Sequence, residues 1–209
     1  MRLVALGDSL AYGAGDETDG GLAGRLRARF DTVNLGVNGA QTSDLLGRLR
    51  QERVRREVAH ADAIILSIGA NDLFRSQAAR NETLRAPLAV AMRILGRLEE
   101  IVGELRRLNQ FARILILGGY NPVPDHPQAP LIEQYLGLWD ATLANTFEND
   151  PLVSVVKMSD LVTPRRLSRY DHFHPGGAAY EAAAERIAEM LEPSNESFDL
   201  PMSTSGASS

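Results

Sequence analysis

The chain contains no cysteine. That removes disulfides, thiolate metal sites and a cysteine nucleophile together, and it leaves the redox compartment undecided. No apolar run approaches the ~20 residues a membrane span needs, so stable membrane insertion is not expected. Met1-Arg2 leads straight into a strand-like run, without the long apolar region and small-residue cleavage site of a secretory signal. The expected location is cytoplasmic on the sequence as given, or outside the cell if a signal peptide was removed from it. Excess basic charge is also missing: a net charge of -5 and a pI near 5.4 argue against a nucleic-acid partner, which Lys and Arg would have to hold by its phosphates. There is no internal repeat and no sign of a second domain.

What is present suits one domain. The 209 residues are 44% hydrophobic and 23% charged, and a chain of this length hides roughly 70% of its extended surface on folding. Short apolar runs alternate with helical periodicity. Strands are expected at Arg2–Leu6, Thr32–Gly36, Ala63–Gly69, Arg113–Gly119 and Leu152–Met158. Several are apolar on successive residues, as strands buried on both faces of a parallel sheet are.

Helical stripes lie between them. Leu22, Leu26 and Phe30 form one. Leu45, Leu46 and Leu49 continue toward Val54 behind a Thr42 or Ser43 N-cap. A long stripe follows Pro87, another covers Leu131–Phe147, and the last runs from Gly177 to Leu191. This alternation predicts an α/β fold, a parallel sheet with helices on both faces, over residues 1–192. The aperiodic, serine-rich residues 193–209 read as a disordered tail.

Ligands of open parallel sheets bind beyond the carboxyl ends of the strands. Four of those ends carry unusual residues: Gly7-Asp8-Ser9, the glycine turn from Gly36 to Gly39, Gly69-Ala70-Asn71-Asp72, and, beyond a loop, Asp171-His172-Phe173-His174-Pro175. Ser9 between a strand and a helix reads as an N-cap or as a nucleophile set among backbone N–H groups and a positive helix end. Asp171 and His174, three apart, favour the second: the carboxylate can accept the Nδ1–H of the imidazole and leave Nε2 to face Ser9. His172 competes for the role of base, but its adjacency to Asp171 places it badly. Candidate donors to a developing oxyanion are the Ser9 N–H, the Gly39 N–H and the Asn71 amide. Asp72 reads as a brace for its loop. Tyr12, Phe74, Tyr120, Asn121 and Pro122 follow the same strand ends and could line a substrate pocket. The proline-rich loop Tyr120–Pro130 is placed to set substrate size.

Rival patterns are incomplete. Gly7-Asp8-Ser9-Leu10-Ala11 lacks the second glycine of G-x-S-x-G. Gly13-Ala14-Gly15 is not followed by the third glycine of a dinucleotide fingerprint, and there is no P-loop. Asp8, Asp72, His172 and His174 could be imagined around a metal, yet no zinc-site spacing supports them.

GDSL at Gly7–Leu10, the glycine turn ending at Gly39, GAND at Gly69–Asp72 and DHFHP at Asp171–Pro175 resemble the four blocks of the GDSL, or SGNH, hydrolases. They come in the family's order, from Leu3 to about Leu191. The resemblance implies a three-layer α/β/α, flavodoxin-like sandwich with a five-stranded parallel sheet. It also implies esterase or lipase activity on small-molecule or lipid esters, with no metal or other cofactor. Ser9 would be the nucleophile, His174 the base and Asp171 its partner, with Ser9, Gly39 and Asn71 forming the oxyanion hole. An acyltransferase or thioesterase could use the same residues, and a catalytically silent binding module could keep the cleft. Ester hydrolysis is therefore expected to survive EDTA; its loss on chelation and recovery with zinc would restore the metal reading.

Overall fold

A sheet with one wet face cannot satisfy apolar side chains on successive residues, so strands of that kind are covered on both sides. A computed structural model of the chain describes residues 1–18, 20–74, 80–82 and 85–192, with Phe74 described by its backbone alone. The tail expected at 193–209 lies outside these residues.

In chain order the elements are β1 (Arg2–Gly7), α1 (Ser9–Tyr12), α2 (Gly21–Leu26), β2 (Asp31–Gly36), α3 (Thr42–Arg48), α4 (Glu52–Ala59), β3 (Ala63–Ser67) and α5 (Ala70–Phe74). They continue with α6 (Pro87–Leu108), β4 (Arg113–Leu117), α7 (Ala129–Thr146), β5 (Val153–Val156) and α8 (Gly177–Leu191). The five strands are all parallel, in the order β2-β1-β3-β4-β5. Leu3–Leu6 of β1 and Ala63–Leu66 of β3, the middle of the sheet, are completely buried.

Each face has its own core. Leu10, Leu22, Leu26, Tyr180 and Ile187 pack α1, α2 and α8 against one side. Leu45, Val54, Val58, Leu98, Ile101 and Leu143 pack α3, α4, α6 and α7 against the other. Burying such side chains stabilises the fold by about 1.5–3 kcal/mol each. The chain leaves β1 over the first face and reaches β3 over the second, so the connections after β1 and β3 part between adjacent strands. That is the crevice where α/β sheets bind ligands. Among the described residues, no helix is long and apolar enough to cross a membrane.

The structure shortens several expected elements. β3 stops at Ser67 and β4 at Leu117, because Gly69 turns away at φ +121° and Gly118 begins the next loop. The stripe from Leu45 to Val54 is two helices, since Gln51 takes an extended backbone and caps α4. Neither Thr42 nor Ser43 is the N-cap of α3. Gln41 is, and its N–H donates to Asp44 at 2.9 Å. The helix expected through Leu22, Leu26 and Phe30 is α2, and it ends at Leu26, before Phe30.

Gly7 sets how close the two central strand ends lie. It adopts φ +126°, and a Cβ there would fall 1.7 Å from the Ser67 carbonyl oxygen. Gly39 differs: its φ is +78°, but a Cβ would meet nothing within 4 Å. In urea denaturation Gly7→Ala is expected to cost roughly 2–5 kcal/mol, from backbone strain plus a clash, and Gly39→Ala about 1–2 kcal/mol from strain alone. Equal costs would refute the contact with Ser67 as the constraint.

Candidate active site

A strand that must end at a crevice needs a residue to receive the first N–H groups of the next turn. Asp8 does this. Its Oδ1 accepts from the Leu10 N–H at 3.2 Å and from the Ser67 hydroxyl at 2.7 Å, and its own N–H donates to the Ser67 carbonyl at 2.8 Å. Asp8 is therefore the cap of α1, and Ser9 is the first helical residue, so the N-cap reading of Ser9 does not hold. Ser9 is 8% exposed, and its hydroxyl bonds to no described residue. α1 is a single turn of four residues, so the helix-end field expected from the sequence shrinks to its nearby N–H groups.

The loops after β2 and β3 are stitched together. Asn71 Nδ2 donates to the Ala40 carbonyl at 3.0 Å, and Gln41 Nε2 donates to the Asn71 carbonyl at 3.3 Å. Asp72 accepts from the Thr42 N–H at 3.0 Å and the Thr42 hydroxyl at 2.6 Å, which braces this loop. The Asn71 amide is thereby held beside Gly39-Ala40 with its second N–H unspent. The Ser9 and Gly39 N–H groups also donate to no described residue.

From the far end of the chain comes the segment between β5 and α8. His174 Nδ1 lies 2.6 Å from Asp171 Oδ2, while Asp171 Oδ1 accepts the N–H groups of Phe173 at 3.0 Å and His174 at 2.9 Å. The Phe173 ring stands edge-on to the imidazole, 5.2 Å between centroids. His172 has its backbone in the left-handed region, φ +52°, and its ring joins none of these bonds.

This loop sits against the segment that follows Ser9. A Cβ on Gly15 would be 2.6 Å from His174 Cβ, and Tyr180 donates its hydroxyl to the Ala14 carbonyl at 2.7 Å. The Tyr120 hydroxyl, from the loop after β4, donates to the Phe173 carbonyl at 3.1 Å. Ser9, Asn71, Tyr120 and His174 thus share one end of the sheet. Ser9 and His174 are not hydrogen-bonded, and such contacts commonly tighten only around substrate.

The electrostatics follow from burial. Burial pushes the Asp8 carboxyl up to about 6, although the Ser67 and Leu10 hydrogen bonds and the nearby His174 pull it down. Burial also acts on Asp171, but the hydrogen bonds from His174 and Phe173 outweigh it and hold that carboxyl below its ordinary value. Burial, with Asp8 and Asp171 nearby, raises the Tyr120 phenol.

Of the suggested pocket residues, Asn121 is 9% exposed; its Oδ1 accepts from the Val123 N–H at 3.0 Å and its Nδ2 is buried without a partner. Pro122 is half-buried, Tyr12 is 55% exposed, and the Phe74 side chain lies outside the described residues. Among the described residues no three His, Asp or Glu side chains converge as metal ligands. Sequence reasoning missed Asp8 as the cap, although an aspartate just before a helix is the usual signal. It also missed Ser67, which only the β1–β3 pairing brings to Asp8.

The profile of the GDSL-like lipase/acylhydrolase family matches residues 5–182, which takes in all of these segments. The chain belongs to this family. It is a carboxylic ester hydrolase of the SGNH fold. It is 27% identical over 207 residues to the spore germination lipase LipC of Bacillus licheniformis, covering 90% of this chain and 94% of that one. The lipase Lip_vut3 from a goat rumen metagenome superposes with a TM-score of 0.77 at 22% identity, covering 90% and 96%. The acetylxylan esterase Axe2 of Geobacillus stearothermophilus does so at 0.61 and 20%, covering 90% and 92%.

This family member carries a buried carboxyl whose ionisation opposes folding. Asp8 keeps its proton up to about pH 6 when folded, against an ordinary value of 3.8. Between those values the folded state binds more protons. Its contribution is therefore full below the ordinary value and is lost as pH rises through the folded one, on the order of 3 kcal/mol. Asp8→Asn keeps an oxygen for Ser67 and Leu10 and never ionises. Its stability relative to the parent is expected to rise by about 3 kcal/mol between about pH 4 and about pH 7 in chemical denaturation. A difference independent of pH would show that Asp8 is not held protonated.

Proposed function

We propose that the enzyme cleaves small-molecule or lipid esters through an acyl-enzyme on Ser9. One observation carries the reading: the Asp171–His174 pair, joined at 2.6 Å, is packed on the segment that follows Ser9. Asp171 holds the imidazole with Nδ1 protonated, so Nε2 is the basic nitrogen.

In the first half-reaction Nε2 takes the Ser9 hydroxyl proton as Oγ forms a bond to the ester carbonyl carbon. The carbonyl oxygen becomes negative and accepts from the Ser9 N–H, the Gly39 N–H and Asn71 Nδ2. Each such donor typically lowers the barrier by about 3 kcal/mol, because it is aimed before the charge appears. The imidazolium then protonates the departing alcohol oxygen as the carbon–oxygen bond breaks. In the second half a water gives its proton to Nε2, its oxygen attacks the acyl carbon, and Ser9 leaves with the proton back on Oγ. Apart from the ester and that water, the groups used in this cycle are side chains and N–H groups of the chain.

Asn121, with a buried amide donor free, and half-buried Pro122 are the pocket residues this reading retains beside Tyr120. Relatives named as a lipase and as an acetylxylan esterase support esters as the substrate class.

Ser9→Ala is expected to lower kcat for p-nitrophenyl esters by roughly 10⁴- to 10⁶-fold with the fold intact by circular dichroism. Near-parental turnover by Ser9→Ala would refute the assignment.

A further inference from the structure

Catalysis of this kind requires a loop from one end of the chain to be held against a turn from the other, and Asp171 and His174 do not themselves supply that hold. Glu17 touches the loop at two places. Its Oε1 accepts the Arg169 N–H at 2.7 Å and its Oε2 accepts the Gly177 N–H at 2.8 Å. Asp171 and His174 lie between those two residues, so one carboxylate spans the loop that carries them. The Tyr170 hydroxyl adds a long contact to the Glu17 carbonyl at 3.5 Å.

The fit is close on the loop side: a Cβ on Gly176 would stand 3.1 Å from both Glu17 carboxylate oxygens. On its own side Glu17 is anchored through Asp16. That carboxylate accepts from the Gly21 N–H at 2.8 Å, from Thr18 and from Arg25, which pins the turn onto α2. Hydrogen bonds from the Arg169 and Gly177 N–H groups hold the Glu17 carboxyl below its ordinary value, so it is an anion at working pH.

We propose that Glu17 is a positioning residue for the hydrolysis. Its carboxylate brackets the Arg169–Gly177 loop and sets the height of His174 over the Ser9 turn. The inference rests on the proposed Ser9–His174 chemistry. The physical basis is directional: two N–H groups aimed at two oxygens of one rigid carboxylate fix a loop in translation and in tilt. The loop's own closures, Ser168 N–H to the His174 carbonyl and Gly176 N–H to the Arg166 carbonyl, both at 2.8 Å, fix its shape but not its place. Misplacement of a reacting group by about 1 Å costs on the order of 100-fold in rate.

The test compares Glu17→Ala and Glu17→Gln with the parent and with Ser9→Ala, using p-nitrophenyl acetate and the full chain. Glu17→Ala should lose about 100-fold in kcat per folded molecule with KM unchanged. Glu17→Gln, which keeps one acceptor oxygen, should recover part of that. The low-field proton resonance of the Asp171–His174 contact should weaken in the alanine variant. If Glu17→Ala fails to fold, Glu17→Gln carries the test through its own fall in kcat. Parental kcat, or a fall matched by the loss of folded protein, would overturn the inference. If Ser9→Ala is inactive while the Glu17 variants match the parent, only the bracket is wrong. Activity in Ser9→Ala would instead remove the chemistry beneath it.

Discussion

The active end of this molecule depends on how closely β1 approaches β3 where both strands stop. Gly7, without a Cβ and with positive φ, lets the Ser67 carbonyl come against its backbone. From that approach follow the Asp8 N–H bond to Ser67, the burial of the Asp8 carboxyl and the abrupt start of α1 with Ser9 as its first residue. A larger residue at Gly7 would separate the strand ends and move the serine away from the crest of the sheet. The glycine belongs to the motif because the backbone has no room for anything else.

Around that point the site is held by polar bonds between loops rather than by apolar packing. Asn71 joins Ala40, Asp72 joins Thr42, Tyr120 joins Phe173 and Tyr180 joins Ala14. Each bond is worth only about 0.5–1.5 kcal/mol net, far less than the two cores beneath supply. Their value is directional: they fix where the Asn71 amide and the Asp171–His174 loop sit, while the cores on either face keep the strand ends from moving. Asp8 shows the cost of that arrangement, since it caps the turn that begins at Ser9 from a position where its own charge is poorly solvated. Strain and misfit of this kind gather where a fold must present chemistry.

Much of the fold was legible because its signals are local. Consecutive apolar residues marked the strands, and stripes at helical spacing marked α6, α7 and α8 nearly to their ends. Boundaries failed where a single residue's backbone decided them, as at Gln51 between α3 and α4 or at Gly69 after β3. Asp171 and His174 were legible as a pair for the same reason, since three residues of turn are enough to bring carboxylate to imidazole. The choice between Ser9 and Asp8 as helix cap was not, because both residue types cap helices and only the hydrogen bonds tell them apart.

The sequence by itself determined which residues could do the chemistry, their order along the chain, and the alternation that makes a parallel sheet. Each of those is written in residue type and short spacing. Only the tertiary structure decided which partners meet: Ser67 with Asp8, Ala40 with Asn71, and Glu17 with both ends of the Asp171–His174 loop. Such contacts join residues far apart in the chain and depend on strand order and crossover, so no local pattern of residues contains them.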